Sequence, residues 1–410
     1  MNKNYFPQED DLHRFVKNRF RAAWIWQLLF LSALLIAILS LSALIYNVVD
    51  GTNGYVAYEF KKDPASISEK PLEQLTQEEL QTLLQKNLSK GAYNKLNNEQ
   101  KMETRSKGDL YSLMLERIIQ IDTKATWSMT DSLLNRAAIE AEVKEKYPEA
   151  RLEYRVWLTE AFITSPMSSR AEFAGVRTAI LGSMWLVIIA VALSLPVGVG
   201  AAIYLQEYAK KNWINRIIQT NINNLAGVPS IVYGMLGLAI FVRALEVLTS
   251  GAVFGVADSN GRTVLSAGLT MGILVLPLVI INAQEAIKAV PDTLRQAAYG
   301  VGATKWQTVW SHVLPNALPG ILTGSILAMS RAVGETAPLI IVGASTFISV
   351  DPNGPFSKFT ALPIQIYQWT SRAQAEFHNI AAAAIIVLLI LLLTLNATAI
   401  LLRNRFQRRY

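Results

Sequence analysis

Six long, nearly uncharged apolar runs dominate this sequence, at about 24–46, 177–205, 220–243, 264–285, 318–345 and 379–402. Crossing a hydrocarbon layer of about 30 Å takes roughly 20 apolar residues wound as an α-helix. One such run also suits a buried helix of a water-soluble protein; six together point to an all-α integral membrane protein with six transmembrane helices. Only 17% of the residues are charged, against about 25% in ordinary soluble domains. With no cysteine, disulfide scaffolds and thiolate metal sites are excluded. The first run is read as a span and not a secretory leader, because its apolar part is too long and five more follow.

Charge placement predicts the orientation. Lys3, Arg14, Lys17, Arg19 and Arg21 precede the first run, Lys210, Lys211 and Arg216 follow the second, and Lys288, Arg295 and Lys305 follow the fourth. Arg403, Arg405, Arg408 and Arg409 close the chain, whereas the short opposite loops hold Arg262, Lys358 and Arg372. Basic loops stay in the cytoplasm. The segments 1–21 and 403–410 are therefore predicted to be cytoplasmic, and the net charge of +7 reflects membrane topology, not nucleic-acid binding. The predicted parts are a first helix at 22–47, an extracytoplasmic insertion at 48–172, and a core at 173–405 with a cytoplasmic loop at 286–315. Arg177 and the Arg243/Glu246 pair lie at outer span ends, where they are expected to snorkel.

The insertion reads as mainly helical. Thr76-x-x-Glu79 is a capping-box pattern followed by Leu80, Leu83, Leu84 and Leu88, with Gly91 as the expected C-cap. Further helices are expected near 110–121 and from Trp127 or Thr130. No catalytic residue is assigned anywhere in the chain, and His13, His312 and His378 lack metal-ligand spacing.

The loop at 284–315 predicts two short helices. Asp292 or Thr293 can cap the first, Gly300 and Gly302 permit a break, and Thr304-x-x-Gln307 is a second capping box. Pro315 is expected near the end of the second helix. This stretch resembles the EAA loop of permease subunits of binding-protein-dependent ABC importers. Gln296-Ala297-Ala298, Gly302 and Leu314-Pro315 fall at the motif's spacing, with Gln296 in place of its acid and His312 in place of its isoleucine. The resemblance implies a coupling helix that docks on a separate ATP-binding subunit. No G-x-x-x-x-G-K-[ST] phosphate loop occurs, so ATP and Mg would be used by that partner and no cofactor by this chain.

RAVGETAPLI at 331–340 places two charges inside the fifth run. A charge at bilayer depth costs about 2.5–3.5 kcal/mol on insertion scales, and such residues face a bundle interior or an aqueous path. Arg331 and Glu335, four residues apart, are expected on one helix face, with Thr336 adding a hydroxyl. Gly334 and Pro338, like Gly227 and Pro229 in the third run, are expected to act as hinges or packing points. A structural ion pair is the alternative to a solute path. Guanidinium geometry suits an oxyanion.

RAVGETAPLI, NLAGVPSIVYGMLGLAIFV at 224–242 and LPIQIY at 362–367 together resemble the PstA family of phosphate-transport permeases. That resemblance implies an importer-permease (MetI-like) bundle in a bacterial inner membrane. It also implies assembly with the related permease PstC, two copies of the ATPase PstB and the phosphate-binding protein PstS. LPIQIY would then contribute to an external gate. A permease for another oxyanion or a phosphonate, and an ATP-independent channel or secondary carrier, are the competing readings.

Overall fold

The computed structural model describes residues 9–406 apart from 63, 69, 100, 211, 257–259 and 349. In chain order the helices and strands are α1 (Glu9–Gly51), β1 (Asn53–Phe60), α2 (Gln77–Asn87), α3 (Lys90–Glu99), α4 (Lys107–Met114), β2 (Ile121–Thr126), α5 (Met129–Leu134), α6 (Arg136–Lys146), β3 (Arg151–Val156) and α7 (Glu160–Thr164). The core continues with α8 (Arg177–Ile203), α9 (Trp213–Ala226), α10 (Ser230–Gly237), α11 (Glu246–Thr249), α12 (Val264–Lys288), α13 (Asp292–Gly300), α14 (Lys305–Thr308), α15 (Leu314–Val333), α16 (Ala337–Val342), α17 (Leu362–Thr370) and α18 (Ala375–Phe406).

Among the described residues, five stretches are long and apolar enough to cross a membrane: Phe15–Gly51, Arg177–Tyr208, Val264–Lys288, Lys305–Val333 and Ala375–Arg405. The third expected run is not one straight helix. It breaks into Trp213–Ala226 and Ser230–Ala244, which meet at 103°. Pro229 has no N–H to continue the ladder, and its ring disfavours helical backbone at Val228. The N–H groups of Gly227 and Val228 instead close tight turns on Asn224 and Leu225 at 3.0 and 3.1 Å. The fifth run is likewise interrupted, ending at Val333 and resuming at Ala337.

The centre of the bundle is α8 against α12. Small residues let the backbones approach, as van der Waals packing in lipid requires. A methyl group built on Gly268 would lie 2.6 Å from the Ile189 side chain, and one on Gly272 would lie 2.8 Å from Leu193. Leu186, Ala190, Met271, Val275 and Val279 fill this seam together with Phe359 and Ile364. By contrast α1 packs along α18 and leaves Leu34, Leu35 and Ile36 more than half exposed. Where lipid is the solvent, that exposure carries no penalty.

The insertion carries the expected helices, but they are arranged around an antiparallel sheet that the sequence reading did not anticipate. The strand order is β2-β1-β3, with Val56 opposite Thr126 on one side and Glu153 on the other. Strands of six to eight residues that pair across long sequence separations give little local signal. The Thr76/Glu79 capping box forms, with bonds of 3.3 and 2.7 Å, and Leu80 and Leu84 are buried. Gly91 is not the C-cap; α2 ends at Asn87 and Gly91 lies within α3.

The insertion is joined firmly to the bundle. Helix α1 runs through Gly51 almost directly into the central strand, and the Asn379 side chain of α18 donates to the Gly51 carbonyl at 2.7 Å. Val56, Trp157 and Phe162 share a core with Leu362, Trp369, Phe377 and Ile380. LPIQIY therefore forms the buried start of α17, with Gln365 donating to the Gly175 carbonyl at 3.0 Å. Arg155 joins this seam, 4.6 Å from the Trp157 ring; burial lowers its pKa while Glu172 opposes the shift. Arg177 does not simply snorkel. It pairs with Asp351 at 2.9 Å, and Thr178 donates to the same carboxylate at 2.7 Å.

Gly268→Val would overpack the α8–α12 seam and is expected to cost about 1–3 kcal/mol, read as a lower thermal midpoint of the detergent-solubilised protein.

Candidate functional site

The break after Val333 positions the charged pair. Arg331 lies in the last turn of α15, roughly 25 Å along the axis from Leu314. A cation there is favoured by the helix dipole. The N–H of Gly334 donates to Arg331 O at 3.2 Å, and that of Glu335 donates to Ala332 O at 3.0 Å. Glu335 therefore sits beyond the helix end, and a tight turn, not a shared helix face, brings its carboxylate within 3.6 Å of Arg331 Nε. That separation is an ion pair without a short hydrogen bond. The Arg331 side chain is 60% exposed and that of Glu335 is 22% exposed.

Thr336 precedes α16, and its side chain makes no capping bond. Pro338 falls in the first turn of α16, where an N–H would have no helical acceptor, so it starts a helix and leaves no carbonyl stranded within one. Gly334 has φ −83° and Gly227 has φ −93°, conformations open to any residue. The close approach lies instead at Gly234, where a built methyl group would come within 2.7 Å of Pro338 Cα. The two interrupted runs thus meet as α10 against α16. A cavity of about 20 Å³ beside Ala332, Val333 and Leu339 has room for about one water and is not lined by Arg331.

The loop at 286–315 folds as two helices around Gly302, whose φ of +81° suits glycine. Helix α13 starts at Asp292 after Pro291, without a side-chain cap. The Thr304/Gln307 capping box opens α14. Pro315 does not end that helix: the rod continues as Lys305–Val333. A widened turn at Val309–Val313 takes up the register in which Pro315 lacks its donor. Leu314 packs with Val313, Ala317, Ile287 and Ala202. Gln296 and Ala297 are exposed, but Ala298 is only 4% exposed and its small size serves the chain's own packing. Gly302 has open space around it. Val301, Trp306 and Trp310 are exposed, and the two indoles stack at 5.5 Å.

Three polar contacts that sequence reasoning missed hold these parts. Arg295 pairs with Glu207 at 2.8 Å, with side chains 14% and 6% exposed, and donates to the Ile287 and Val290 carbonyls. Gln219 and Gln284 exchange hydrogen bonds at 3.1 and 2.8 Å. Ser330, next to Arg331, donates to Asn396 of α18. The signal for Glu207 was its isolation: no other acid occurs between Glu172 and Glu246. The two amide contacts carry no comparable sequence signature.

Glu207→Ala would remove the buried partner of Arg295 and leave it only Asp292, which is 85% exposed, at 3.1 Å. Breaking a fully buried pair costs about 3–5 kcal/mol; with Asp292 retained a smaller loss is expected, read as faster amide exchange and proteolysis across 292–304 with the bundle intact.

The family model described as "Binding-protein-dependent transport system inner membrane component" matches residues 194–410. The probable ABC transporter permease protein YqgI of Bacillus subtilis is 33% identical over 209 residues, half of this chain and 67% of its own length. The phosphate transport system permease protein PstA of Yersinia pestis is 34% identical, covering 55% of this chain and 71% of that protein. PstA 1 of Mycobacterium tuberculosis H37Rv is 35% identical, covering 57% and 71%. Among solved structures, the inward-facing MetNI methionine ABC transporter overlaps 57% of this chain and 96% of its own, at 17% identity and a TM-score of 0.43. The match spans more than half of the chain, including the loop at 286–315 and the break after Arg331. This chain therefore belongs to the inner-membrane components of binding-protein-dependent transport systems, as a multi-pass permease subunit of an ABC importer.

Proposed function

We propose that this permease serves inorganic phosphate and forms half of a path completed by a second, related subunit of the PstC type. The observation that carries the reading is Arg331, an exposed guanidinium at the end of an otherwise apolar helix, loosely paired with Glu335 at 3.6 Å. A planar, permanently charged donor fork suits a tetrahedral oxyanion. Glu335 carries the same sign as the substrate, so its part is to hold the guanidinium between passages, and the 3.6 Å separation leaves the donors available. Thr336 offers a further hydroxyl. The names of the Yersinia and Mycobacterium relatives favour phosphate over another oxyanion or a phosphonate.

Energy enters from the other end. The exposed patch of Val301, Trp306 and Trp310 beside Gln296, Ala297 and Gly302 is the docking surface for the ATP-binding partner, a PstB-type dimer that uses ATP and Mg. Arg295 on Glu207, and Lys305 over the Tyr208 ring at 5.3 Å, make the loop move with the end of α8. This arrangement has both termini in the cytoplasm, and a PstS-type protein delivers phosphate on the side of the insertion. A self-contained channel or carrier would leave the two stacked, exposed tryptophans without a purpose.

Phosphate uptake by the reconstituted complex tests the first part. Arg331→Ala is expected to lower uptake about 10- to 100-fold, the worth of a charge-assisted hydrogen bond of about 1.5–3 kcal/mol, with the complex still assembled. Arg331→Lys should recover part of the loss, and wild-type uptake in Arg331→Ala would refute the assignment. Trp306→Glu is expected to weaken co-purification with the ATPase; undiminished recovery and coupled turnover would remove the docking surface.

A further inference from the structure

Helix α9 has three distinct faces. Asn215, Gln219, Ile222 and Ala226 recur at helical spacing and are partly buried, with Gln219 bonded to Gln284 of α12. Ile214, Ile217, Ile218 and Leu225 form a second face that is 40–49% exposed and apolar except for Asn221, whose amide donates back to the Ile217 carbonyl at 2.9 Å. Arg216, Thr220, Asn223 and Asn224 form a third, exposed and polar. This division makes α9 far more amphipathic than any of the long apolar helices.

Its placement and charge say what covers the apolar face. Helix α9 turns away from α10 at 103°, and α10 packs against α12 and α16, so α9 runs across the bundle. It meets α12 at Gln284, one turn before that helix ends at Lys288 and opens into the loop at 286–315. A helix crossing the end of a bundle with an apolar face outward sits at the boundary of hydrocarbon and headgroups. Lys210, Lys211 and Arg216 lie in or just before α9, and no acidic residue occurs between Glu207 and Glu246. Glu207 is taken by Arg295. Uncompensated cations flanking an amphipathic helix suit anionic headgroups.

We propose that α9 is an interfacial helix seated in an anionic leaflet through Ile214, Ile217, Ile218 and Leu225, with Lys210 and Arg216 on the lipid headgroups. The inference rests on the membrane nature of the family and is independent of which solute is carried.

Because the chain has no cysteine, Ile217→Cys, Leu225→Cys, Thr220→Cys and Asn223→Cys each carry a single spin label. The full chain, with the subunits that co-purify with it, is placed in vesicles of phosphatidylcholine and phosphatidylglycerol. Labels at 217 and 225 are expected to collide severalfold more with oxygen than with a water-soluble nickel chelate, and labels at 220 and 223 to show the reverse. Vesicles without phosphatidylglycerol, or Arg216→Glu, should shift 217 and 225 toward the chelate. Labels at 217 and 225 shielded from both reagents would mean that a second subunit covers the face, and labels open to the chelate would place it in water; either overturns the proposal. Immersion insensitive to both phosphatidylglycerol and Arg216→Glu overturns the role of headgroup charge. None of these readings depends on uptake, so failure here is separable from failure of the phosphate assignment.

Discussion

A peptide group in hydrocarbon has no water to bond, so a helix that stops inside a membrane must have its end covered by protein. This chain interrupts two of its apolar runs, after Ala226 and after Val333, and the short arms that resume beyond the breaks cover each other. Gly234 on α10 approaches Pro338 on α16 so closely that no side chain fits between them. The charged pair lies at one of these breaks. A tight turn, available only where the helix has ended, brings Glu335 to the exposed Arg331 while Ala332 and Val333 stay buried. Packing, helix interruption and the exposed cation are thus consequences of one another.

Mechanical continuity toward the other end depends on a different interaction. Arg295 reaches Glu207 from the loop at 286–315 and also satisfies two carbonyls at the end of α12. The loop is thereby held to both members of the most closely packed helix pair. Because the α8–α12 seam is lined by glycines, it leaves little room for side-chain adjustment. The rod Lys305–Val333 joins the loop to the Arg331 turn without a helix end between them, the widened turn before Pro315 supplying the slack that proline requires. Trp306 and Arg331 thus lie on one continuous rod.

The insertion belongs to the same mechanical system. Its central strand continues from α1, and its aromatic residues Trp157 and Phe162 pack on Trp369. Asp351 binds both Arg177 and Thr178, tying the outer loop to the start of α8. Lying outside the residues matched by the family model, the insertion has adapted to the bundle by sharing its core, while Leu80, Leu84, Leu110 and Met114 form a second core of its own.

Much of what depended on local composition was legible in the sequence, although neither Gly91 nor the Asp292/Thr293 pair caps a helix as expected. Apolar length located the spans, two of them broken, the Thr76/Glu79 and Thr304/Gln307 patterns formed capping boxes, and the RAVGETAP run marked Arg331 at the end of an apolar helix with Glu335 and Thr336 in the break beyond it. Gln296, Ala297, Gly302, Leu314 and Pro315 were readable as one loop because they are close in the chain. The tertiary structure alone decided that Ala298 faces inward, that the third run bends at 103°, and that a sheet underlies the insertion. It alone paired Glu207 with Arg295 and Arg177 with Asp351. Hydrogen bonding within a helix is set by residues three or four apart, so sequence determines it. A buried ion pair or a strand register joins residues far apart in the chain, and only the packing of the whole chain selects the partner.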